Sequence, residues 1–392
     1  MEIKEEITAI IRNRLQLPEK ASRFTDIRHT PHIPLRTLIL CFALMPFYGI
    51  KSLLRLDFLS RKDYFKNLFG QTAQRRKMVC SDSTLQRIAR WIKPEEAQQF
   101  QLAFLEEFLS LGAYPLPLVP GCPSRRIGIL DGSFMGGHFL AALTLFGTIR
   151  YPVLLCGYAN RGRELEAAKQ LILAAASGLG PARPELLLLD SLYFNAPIFS
   201  LARSLGFHVL VKSSDPSFRT VLQDAQFLFA LGELASQQIQ RCTGFDSRRL
   251  CSWTLEMTSG TFAGFPLTVA HLRETFSKQP GAPPQEAWIV TTDLSFSPAE
   301  LREAAYARWS IENDVFKKLS HLAGTKRFHF KDPSAFLSVL RILCAAVTAF
   351  ELAIFILNAS KELFKAFRDG IKPTVCGLFS RLADFLENSV FA

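Results

Sequence analysis

Two stretches decide the fold of this chain: RIGILDGS at residues 126–133 and ELLLLDSLYFNAP at residues 185–197. Each contains a short apolar run that ends on an acid, Asp131 in the first and Asp190 in the second. Short continuous apolar runs are typical of strands that are buried on both faces of a sheet. In open α/β sheets, ligands bind beside the carboxyl ends of such strands, which is where these two acids are expected to lie.

The sequence around the two runs predicts a mixed sheet. Between them, the pattern indicates strands at 138–146 and 151–157 and then a helix at 163–176. After the second run, a helix at about 195–205 leads into a further strand that ends near Val211. Three consecutive strands followed by alternating helix and strand predict an α/β fold, a mixed sheet with helices on both faces.

The composition favours a folded protein that binds a polyanion. Hydrophobic residues make up 48% of the 392 residues, enough for a sizeable core. The net charge of +11 favours nucleic acid or an anionic membrane surface as a partner. The apolar runs at 38–47 and 344–357 are shorter than the roughly 20 residues that a membrane span needs. We therefore expect both runs to form buried helices and expect no membrane insertion.

The cysteines and histidines do not predict a metal or redox site. The eight cysteines show no C-x-x-C spacing, and the seven histidines are equally dispersed. Four of the first six residues, MEIKEE, are charged, unlike the apolar start of a secretory signal. We therefore expect buried, reduced thiols in a cytoplasmic protein.

Taken singly, the acids permit two interpretations. A carboxylate that follows a buried strand loses hydration and needs a compensating partner. Mg²⁺ is such a partner, because it prefers oxygen ligands and leaves positions for water and phosphate. The commoner interpretation of Asp131 and Asp190 is a turn or helix-capping residue, and a helical Glu such as Glu312 is usually solvated. Residue type alone does not decide between these interpretations.

Three blocks together resemble the insertion-sequence family of DDE transposases. They are DGS at 131–133, DSLYFNAP at 190–197 and RWSIEN at 308–313. Each resembles the sequence around one acid of that family's triad, and they occur in the same order. The acids are separated by 59 residues (190 − 131) and by 122 residues (312 − 190), and the longer interval leaves room for a β-rich insertion. The resemblance covers roughly 125–357.

The resemblance implies a ribonuclease-H-like fold in which Asp131, Asp190 and Glu312 hold two Mg²⁺ or Mn²⁺ ions. Two such ions clamp both the attacking and the leaving oxygen of an in-line phosphoryl transfer. Water and then a DNA 3′-hydroxyl would attack phosphodiesters, with no covalent enzyme intermediate. The implied partners are double-stranded DNA, as terminal inverted repeats and target, and a second copy of the chain in a paired-end complex. The implied location is the prokaryotic cytoplasm, at the nucleoid.

Changes in the character of the sequence divide the chain into parts, which the resemblance labels by function. The parts are a helical DNA-binding region at 1–120, the first part of the catalytic core at 121–231, a β-rich insertion at 232–294, the second part of the core with the Glu312 helix at 295–357, and a helical C-terminal tail at 358–392. The insertion is richer in Thr, Ser, Gly and Pro than its surroundings. A capping-box pattern at 297–300 marks the start of a long helix that we expect to run through Glu312 to about Leu322.

The helix around the third acid departs from the family pattern. The family often has Tyr three residues before the Arg and a basic residue seven or eight after the acid. Here Tyr306 precedes Arg308 by two residues, and Lys318 follows Glu312 by six. Since one helical residue is about 100° of rotation, the predicted DNA contacts of Tyr306 and Lys318 depend on the helix geometry. For Arg308 the alternatives are an i,i+4 ion pair with Glu312 and a DNA phosphate beside the metal site, and the resemblance favours the phosphate.

A basic helix is predicted at 82–93. It begins with good capping residues at Ser81 and Asp82 and carries Arg87 and Arg90. We predict that these arginines contact phosphates of the terminal inverted repeat, which would make binding strongly salt-dependent. The alternative is an ordinary solvated face, which is the commoner origin of such a cluster.

Two other functions remain open at this point. A metal-dependent nuclease of the same fold would use the same three acids to cut DNA without joining it. A degenerate DNA-binding protein without chemistry would also explain the irregular positions of Tyr306 and Lys318. The presence of all three acids favours the transposase.

Overall fold

The computed structural model describes residues 3–213, 219–231, 238–279, 281–322, 324–325 and 330–358. The helical tail predicted at 358–392 lies outside these residues from 359 onward. Among the described residues, short helices build the N-terminal part of the chain. They are α1 (Ile3–Ala9), α2 (Leu17–Ala21), α3 (Leu35–Leu44), α4 (Leu53–Ser60), α5 (Asp63–Asn67), α6 (Gln71–Gln74), α7 (Asp82–Ala89), α8 (Pro94–Leu102) and α9 (Leu105–Ser110).

The start of α7 has the predicted cap, since the Ser81 hydroxyl accepts a hydrogen bond from the backbone nitrogen of Thr84 at 3.2 Å. Helices α8 and α9 follow α7 closely and are separated from each other by two residues. At the end of the helical region, β1 (Leu116–Pro117) and β2 (Ser124–Arg125) form a short antiparallel pair.

A mixed sheet follows, and in the described residues it has nine strands. They are β3 (Ile127–Met135), β4 (His138–Phe146), β5 (Arg150–Tyr158), β6 (Leu186–Leu189), β7 (His208–Ser213), β8 (Gln240–Asp246), β9 (Cys251–Phe262), β10 (Phe265–Phe276) and β11 (Gln285–Thr291). Their order is β5-β4-β3-β6-β7-β11-β10-β9-β8. The pairs β3–β6 and β6–β7 are parallel and the rest antiparallel. The predicted mixed sheet is confirmed.

The β-rich segment expected as an insertion continues this sheet. Strand β11 pairs antiparallel with β7, and β10, β9 and β8 extend the sheet outward from there. A two-residue loop, Ala263-Gly264, joins β9 to β10, and both residues have positive φ, 51° and 81°. Such a loop matches the twist of the two strands, and glycine adopts this conformation without steric penalty.

Helices flank the sheet. They are α10 (Glu164–Gly178), α11 (Ala196–Ser204), α12 (Arg219–Ala230), α13 (Pro298–Ala307), α14 (Lys317–Leu322) and α15 (Pro333–Asn358). Helix α10 packs on β4 and β5, α11 on β7, and α13 on β6 and β7. Helix α15 packs against β5, α8 and α3, so it joins the helical N-terminal region to the sheet.

The apolar run at 38–47 covers most of α3 and the three residues after it, the run at 344–357 lies in α15, and both runs are largely buried, as predicted. The segment Pro333–Leu357 is long and apolar enough to cross a membrane by length and composition, and 83% of its most apolar window is buried inside the protein. A mostly buried helix of this kind is also what the core of a soluble protein contains. The segment is therefore weak grounds for a membrane span.

The helix predicted from Ser297 to Leu322 is interrupted. It begins with the predicted capping box, in which Ser297 and Glu300 exchange side-chain to backbone hydrogen bonds. Helix α13 ends at Ala307, a π-helical turn occupies Ile311–Phe316, and α14 follows directly. Single π-helical turns are rare and are frequent at functional sites. Glu312 lies in this turn.

Candidate active site

Asp131 and Asp190 come from neighbouring parallel strands. The pairing of β3 with β6 ends at Leu130 and Leu189, and each acid is the next residue in sequence after one of these leucines. Strand β3 continues past Asp131 along β4, whereas the chain leaves the sheet after Leu189. The sequence had suggested that Asp131 lies at the end of its strand. The structure instead places it inside β3. Because neighbouring strands are about 4.8 Å apart, this register places the two acids side by side.

One guanidinium contacts all three predicted acids. Arg308 Nη1 lies 3.2 Å from Asp131 Oδ2 and 3.6 Å from Glu312 Oε1, and Nη2 lies 3.7 Å from Asp190 Oδ1. The Arg308 side chain is 9% exposed. Within the described part of the chain, its buried Nε has no hydrogen-bond partner. The structure therefore brings the three acids together and places Arg308 among them, as their counter-ion and not as a free phosphate contact.

Asp131 has an unusual electrostatic environment. Burial raises the pKa of Asp131 to about 7; Arg308 opposes this shift, and the charges of Asp190 and Glu312 add to it. Its Oδ1 also accepts a hydrogen bond from the Gly132 backbone nitrogen at 2.8 Å. The side chains of Asp190 and Glu312 are 39% and 54% exposed. One side of the cluster is therefore buried and the other is open to solvent.

The donor set of this cluster suits a hard divalent cation. Carboxylate oxygens are the ligands that Mg²⁺ and Mn²⁺ prefer, and the buried Asp131 needs more compensation than Arg308 supplies. As the described residues stand, no group of three or more His, Cys, Asp or Glu side chains is arranged to hold a metal ion.

A pocket of about 330 Å³ adjoins the acids, and its lining includes Asp190, Lys212, Tyr306 and Trp309. Lys212 Nζ lies 3.8 Å from the centroid of the Tyr306 ring and 4.1 Å from that of Trp309. Burial lowers the pKa of Lys212 to about 8. Tyr306, predicted as a DNA contact, therefore forms part of the pocket wall. Lys212 was not predicted as a site residue, because a strand-end lysine is no signal by itself.

Lys318 lies away from the cluster. Its ammonium pairs with the carboxylate of Glu351 on α15, and both side chains are buried. In this structure Lys318 is a core residue, contrary to its predicted role as a DNA contact. The π-helical turn between Glu312 and Lys318 changes the number of residues per turn, so α-helical spacing did not predict the face on which Lys318 lies.

Arg87 and Arg90 are exposed at the end of α7. Arg87 lines a separate cleft of about 590 Å³, together with residues 27–33 and the half-exposed ring of Trp91. The structure thus places these two arginines on an accessible surface that is not part of the acid cluster. Their position is compatible with both interpretations of the basic helix.

Three side chains beside Asp131 were not predicted from the sequence. Glu164 accepts hydrogen bonds from the hydroxyl groups of Tyr158, at 3.0 Å, and of Tyr193, at 2.6 Å. The only sequence signal for Glu164 was an acid in the first turn of a helix, which ordinary helix electrostatics already explains. Tyr193 was visible as part of the DSLYFNAP block but had no assigned role.

Comparison with known proteins adds no assignment. No protein-family model matches this chain, and no curated protein matches it. What the site is able to do follows from its own groups: three carboxylates, a buried guanidinium among them, and a pocket that combines a lysine with aromatic rings.

Proposed function

We propose that this chain is a DDE-type DNA transposase that cleaves insertion-sequence ends and joins them to target DNA. The observation that carries the proposal is the convergence of Asp131, Asp190 and Glu312 on one guanidinium. The three acids come from β3, from the turn after β6 and from the π-helical turn before α14. A buried acid with a raised pKa beside further carboxylates, next to a pocket, is a candidate for binding a cation or a substrate.

The topology supports a ribonuclease-H-like core. Strands β5, β4 and β3 form an antiparallel unit, and β6 and β7 then continue it in parallel. Strands β8 to β11 lie in the sequence between Asp190 and Glu312, which is where the resemblance places an insertion. This agreement in order supports the same assignment of the three acids.

The proposed chemistry is phosphoryl transfer to water and then to a DNA 3′-hydroxyl. Bound Mg²⁺ or Mn²⁺ would supply charge neutralisation at the attacking and leaving oxygens. Asp131, Asp190 and Glu312 would hold two such ions, with Asp131 fixed by the Gly132 backbone and the other two acids on the solvent side. Arg308, released from the acids, would offer its fork of donors to a phosphate oxygen.

The adjoining pocket suits a nucleic-acid strand. A lysine supported by two aromatic rings presents positive charge, and the exposed ring of Trp309 offers a stacking face. On α7, Arg87 and Arg90 would contact phosphates of the terminal inverted repeats. We propose that two copies act together on paired ends, in the cytoplasm at the nucleoid.

A strand-transfer assay tests the proposal, with the DNA that flanks this reading frame as donor and a plasmid as target. Asp190→Ala should lower joining by about 10³-fold or more, equivalent to about 4 kcal/mol of transition-state stabilisation. Glu303→Gln is the matched control, since Glu303 accepts from Arg302 in a different ion cluster. Joining that is undiminished in Asp190→Ala would remove the triad assignment.

One observation favours a second candidate, a DNA-binding protein without chemistry. Arg308 already lies among the three acids as their shared counter-ion, in the place where a metal ion would otherwise bind. Mn²⁺ titration discriminates, because such a protein would show no metal binding that depends on the acids. The metal-dependent nuclease differs from the transposase only in its products, cut but unjoined DNA.

A further inference from the structure

The carboxylate of Glu164 connects three parts of the candidate active site. Its Oε1 accepts from the hydroxyl of Tyr193, which lies in the turn that follows Asp190, and its Oε2 accepts from the hydroxyl of Tyr158 at the end of β5. Glu164 itself is the first residue of α10. Tyr193 is fully buried, so its hydroxyl needs a partner inside the protein.

Glu164 also packs against the residue that follows Asp131. A Cβ atom built on Gly132 would overlap the Glu164 carboxylate. Glycine at this position therefore allows the carboxylate to approach the backbone of β3. One side chain thus contacts the backbone next to the first acid and the buried turn next to the second.

These contacts join the turn after Asp190 to strand β3. The register of β3 with β6 places the two acids side by side, but the pairing itself ends one residue before them. The turn after Asp190 leaves the sheet and contacts β7. The link from Gly132 through Glu164 to Tyr193 joins this turn to β3 as well.

We propose that Glu164 is a positioning residue, which sets the separation of Asp131 and Asp190 through its hydrogen bond to Tyr193. The proposal rests on the proposed function, since it concerns the affinity of the three acids for a divalent cation. Glu164 acts through Tyr193 and does not itself ligate the cation. Mutation of groups that orient metal ligands in this way typically lowers metal affinity by about 10-fold to 100-fold.

The positioning role predicts that hydrogen bonding matters and that the charge does not. In Glu164→Gln, the amide still accepts from one tyrosine hydroxyl through its oxygen and donates to the other through its nitrogen. The bridge is therefore kept, although the charge is gone. Glu164→Ala removes the bridge at both tyrosines, and Tyr193→Phe removes only the bond to the turn after Asp190.

The test is calorimetric titration of the full chain with Mn²⁺ alone, with the melting temperature recorded to show that each variant is folded. Glu164→Ala should weaken Mn²⁺ binding by about tenfold, Tyr193→Phe by about threefold, and Glu164→Gln by less than about twofold. The double variant Glu164→Ala with Tyr193→Phe should bind no more weakly than Glu164→Ala alone, because both changes break the same link.

Three outcomes would overturn the proposal. If Glu164→Gln bound Mn²⁺ as weakly as Glu164→Ala, the negative charge of Glu164 would contribute to Mn²⁺ binding. Affinity in Glu164→Ala equal to wild type would mean that the bridge has no role. Additive losses in the double variant would mean that Glu164 and Tyr193 act separately.

Titration of Asp190→Ala in the same experiment distinguishes failure of the positioning role from failure of the proposed function. If Asp190→Ala abolishes Mn²⁺ binding and Glu164→Ala does not alter it, only the positioning role is lost. If Asp190→Ala binds as wild type does, the metal site itself is wrong and the positioning role is overturned with it.

Discussion

Two buried arginines, six residues apart in sequence, lie at the centres of two very different ion clusters. Arg302 on α13 binds Asp246 at 3.0 Å and Glu274 at 2.9 Å, and these carboxylates are as buried as the guanidinium. Arg308 contacts its three acids at 3.2 to 3.7 Å, and two of those acids are half-exposed. We call the first the closed cluster and the second the open cluster.

The two clusters differ in how well the charges are compensated. Burial alone would raise the pKa of Asp246, but hydrogen bonds from Arg302 and Arg248 outweigh it and lower that pKa to about 2. Burial raises the pKa of Asp131 to about 7, and Arg308 does not overcome the effect. A closed cluster with satisfied charges has the character of a structural element. An open cluster with a poorly compensated acid has the character of a binding site.

The largest expected effect comes from breaking the closed cluster. Arg302→Met should lower the free energy of unfolding by about 3–5 kcal/mol, because it leaves Asp246 and Glu274 buried without their partner. Arg308→Met should lower the free energy of unfolding by roughly half as much as Arg302→Met or less, because Asp190 and Glu312 reach water and Asp131 takes up a proton. Urea unfolding measures both.

Arg248→Met is the control for this pair. Arg248 also binds Asp246, but its side chain is 71% exposed, so its loss should change stability by no more than about 1 kcal/mol. A larger loss in Arg308→Met than in Arg302→Met would reverse the comparison of the two clusters.

The pH dependence of stability separates the clusters next. The pKa of Asp131 is about 7 when folded and has an ordinary value of 3.8, so between these values the folded state holds a proton that the unfolded state has released. The resulting stabilisation is complete below pH 4 and is lost as the pH rises through 7. As the pH rises from 4 to above 7, the free energy of unfolding of the wild type should fall by up to about 4 kcal/mol relative to that of Asp131→Asn. This is the equivalent of a shift of about 3 pKa units.

Urea melts at pH 4.5 and 8 measure this difference. The pKa of Asp246 is lowered, so its stabilisation is present above pH 4 and is lost only as the pH falls toward 2. The difference in free energy of unfolding between wild type and Asp246→Asn should therefore be the same at pH 4.5 and at pH 8. A constant gap for Asp131→Asn as well would show that the open cluster is compensated as fully as the closed one.

The smallest effect concerns arginines that belong to neither cluster. If Arg87 and Arg90 contact phosphates, changing either to Gln should weaken duplex binding by about 1 kcal/mol and reduce the slope of log affinity against log salt by about 1. Arg23 to Gln is a control on another exposed surface of the helical region. Slopes that do not change would make the α7 arginines an ordinary solvated face.

Local patterns predicted much of this architecture and little of the site's inner contacts. The runs ending at Leu130 and Leu189 were predicted as strands because burial on both faces requires continuous apolar sequence. The cap at Ser297 was predicted because it is satisfied within four residues. The three acids were predicted as one site only through the resemblance of their sequence blocks to a known family, since each acid taken singly permits an ordinary structural role.

The remaining contacts depend on tertiary packing that no local pattern encodes. Arg308 meets Asp131 across 177 residues of sequence, and the π-helical turn places Lys318 against Glu351 rather than near the acids. Glu164 looked like an ordinary first-turn acid. The strands at 232–294 were predicted, but their continuation of the main sheet depends on the edge that β7 presents to β11.

The most direct test of the open cluster as a metal site is calorimetric titration with Mn²⁺ of wild type, Asp190→Ala and Glu303→Gln. The wild type should bind Mn²⁺, and Glu303→Gln, which changes an acid that accepts from Arg302, should bind it equally well. Asp190→Ala should bind it at least about tenfold more weakly. Equal binding by wild type and Asp190→Ala, or no binding by the wild type, would contradict the account.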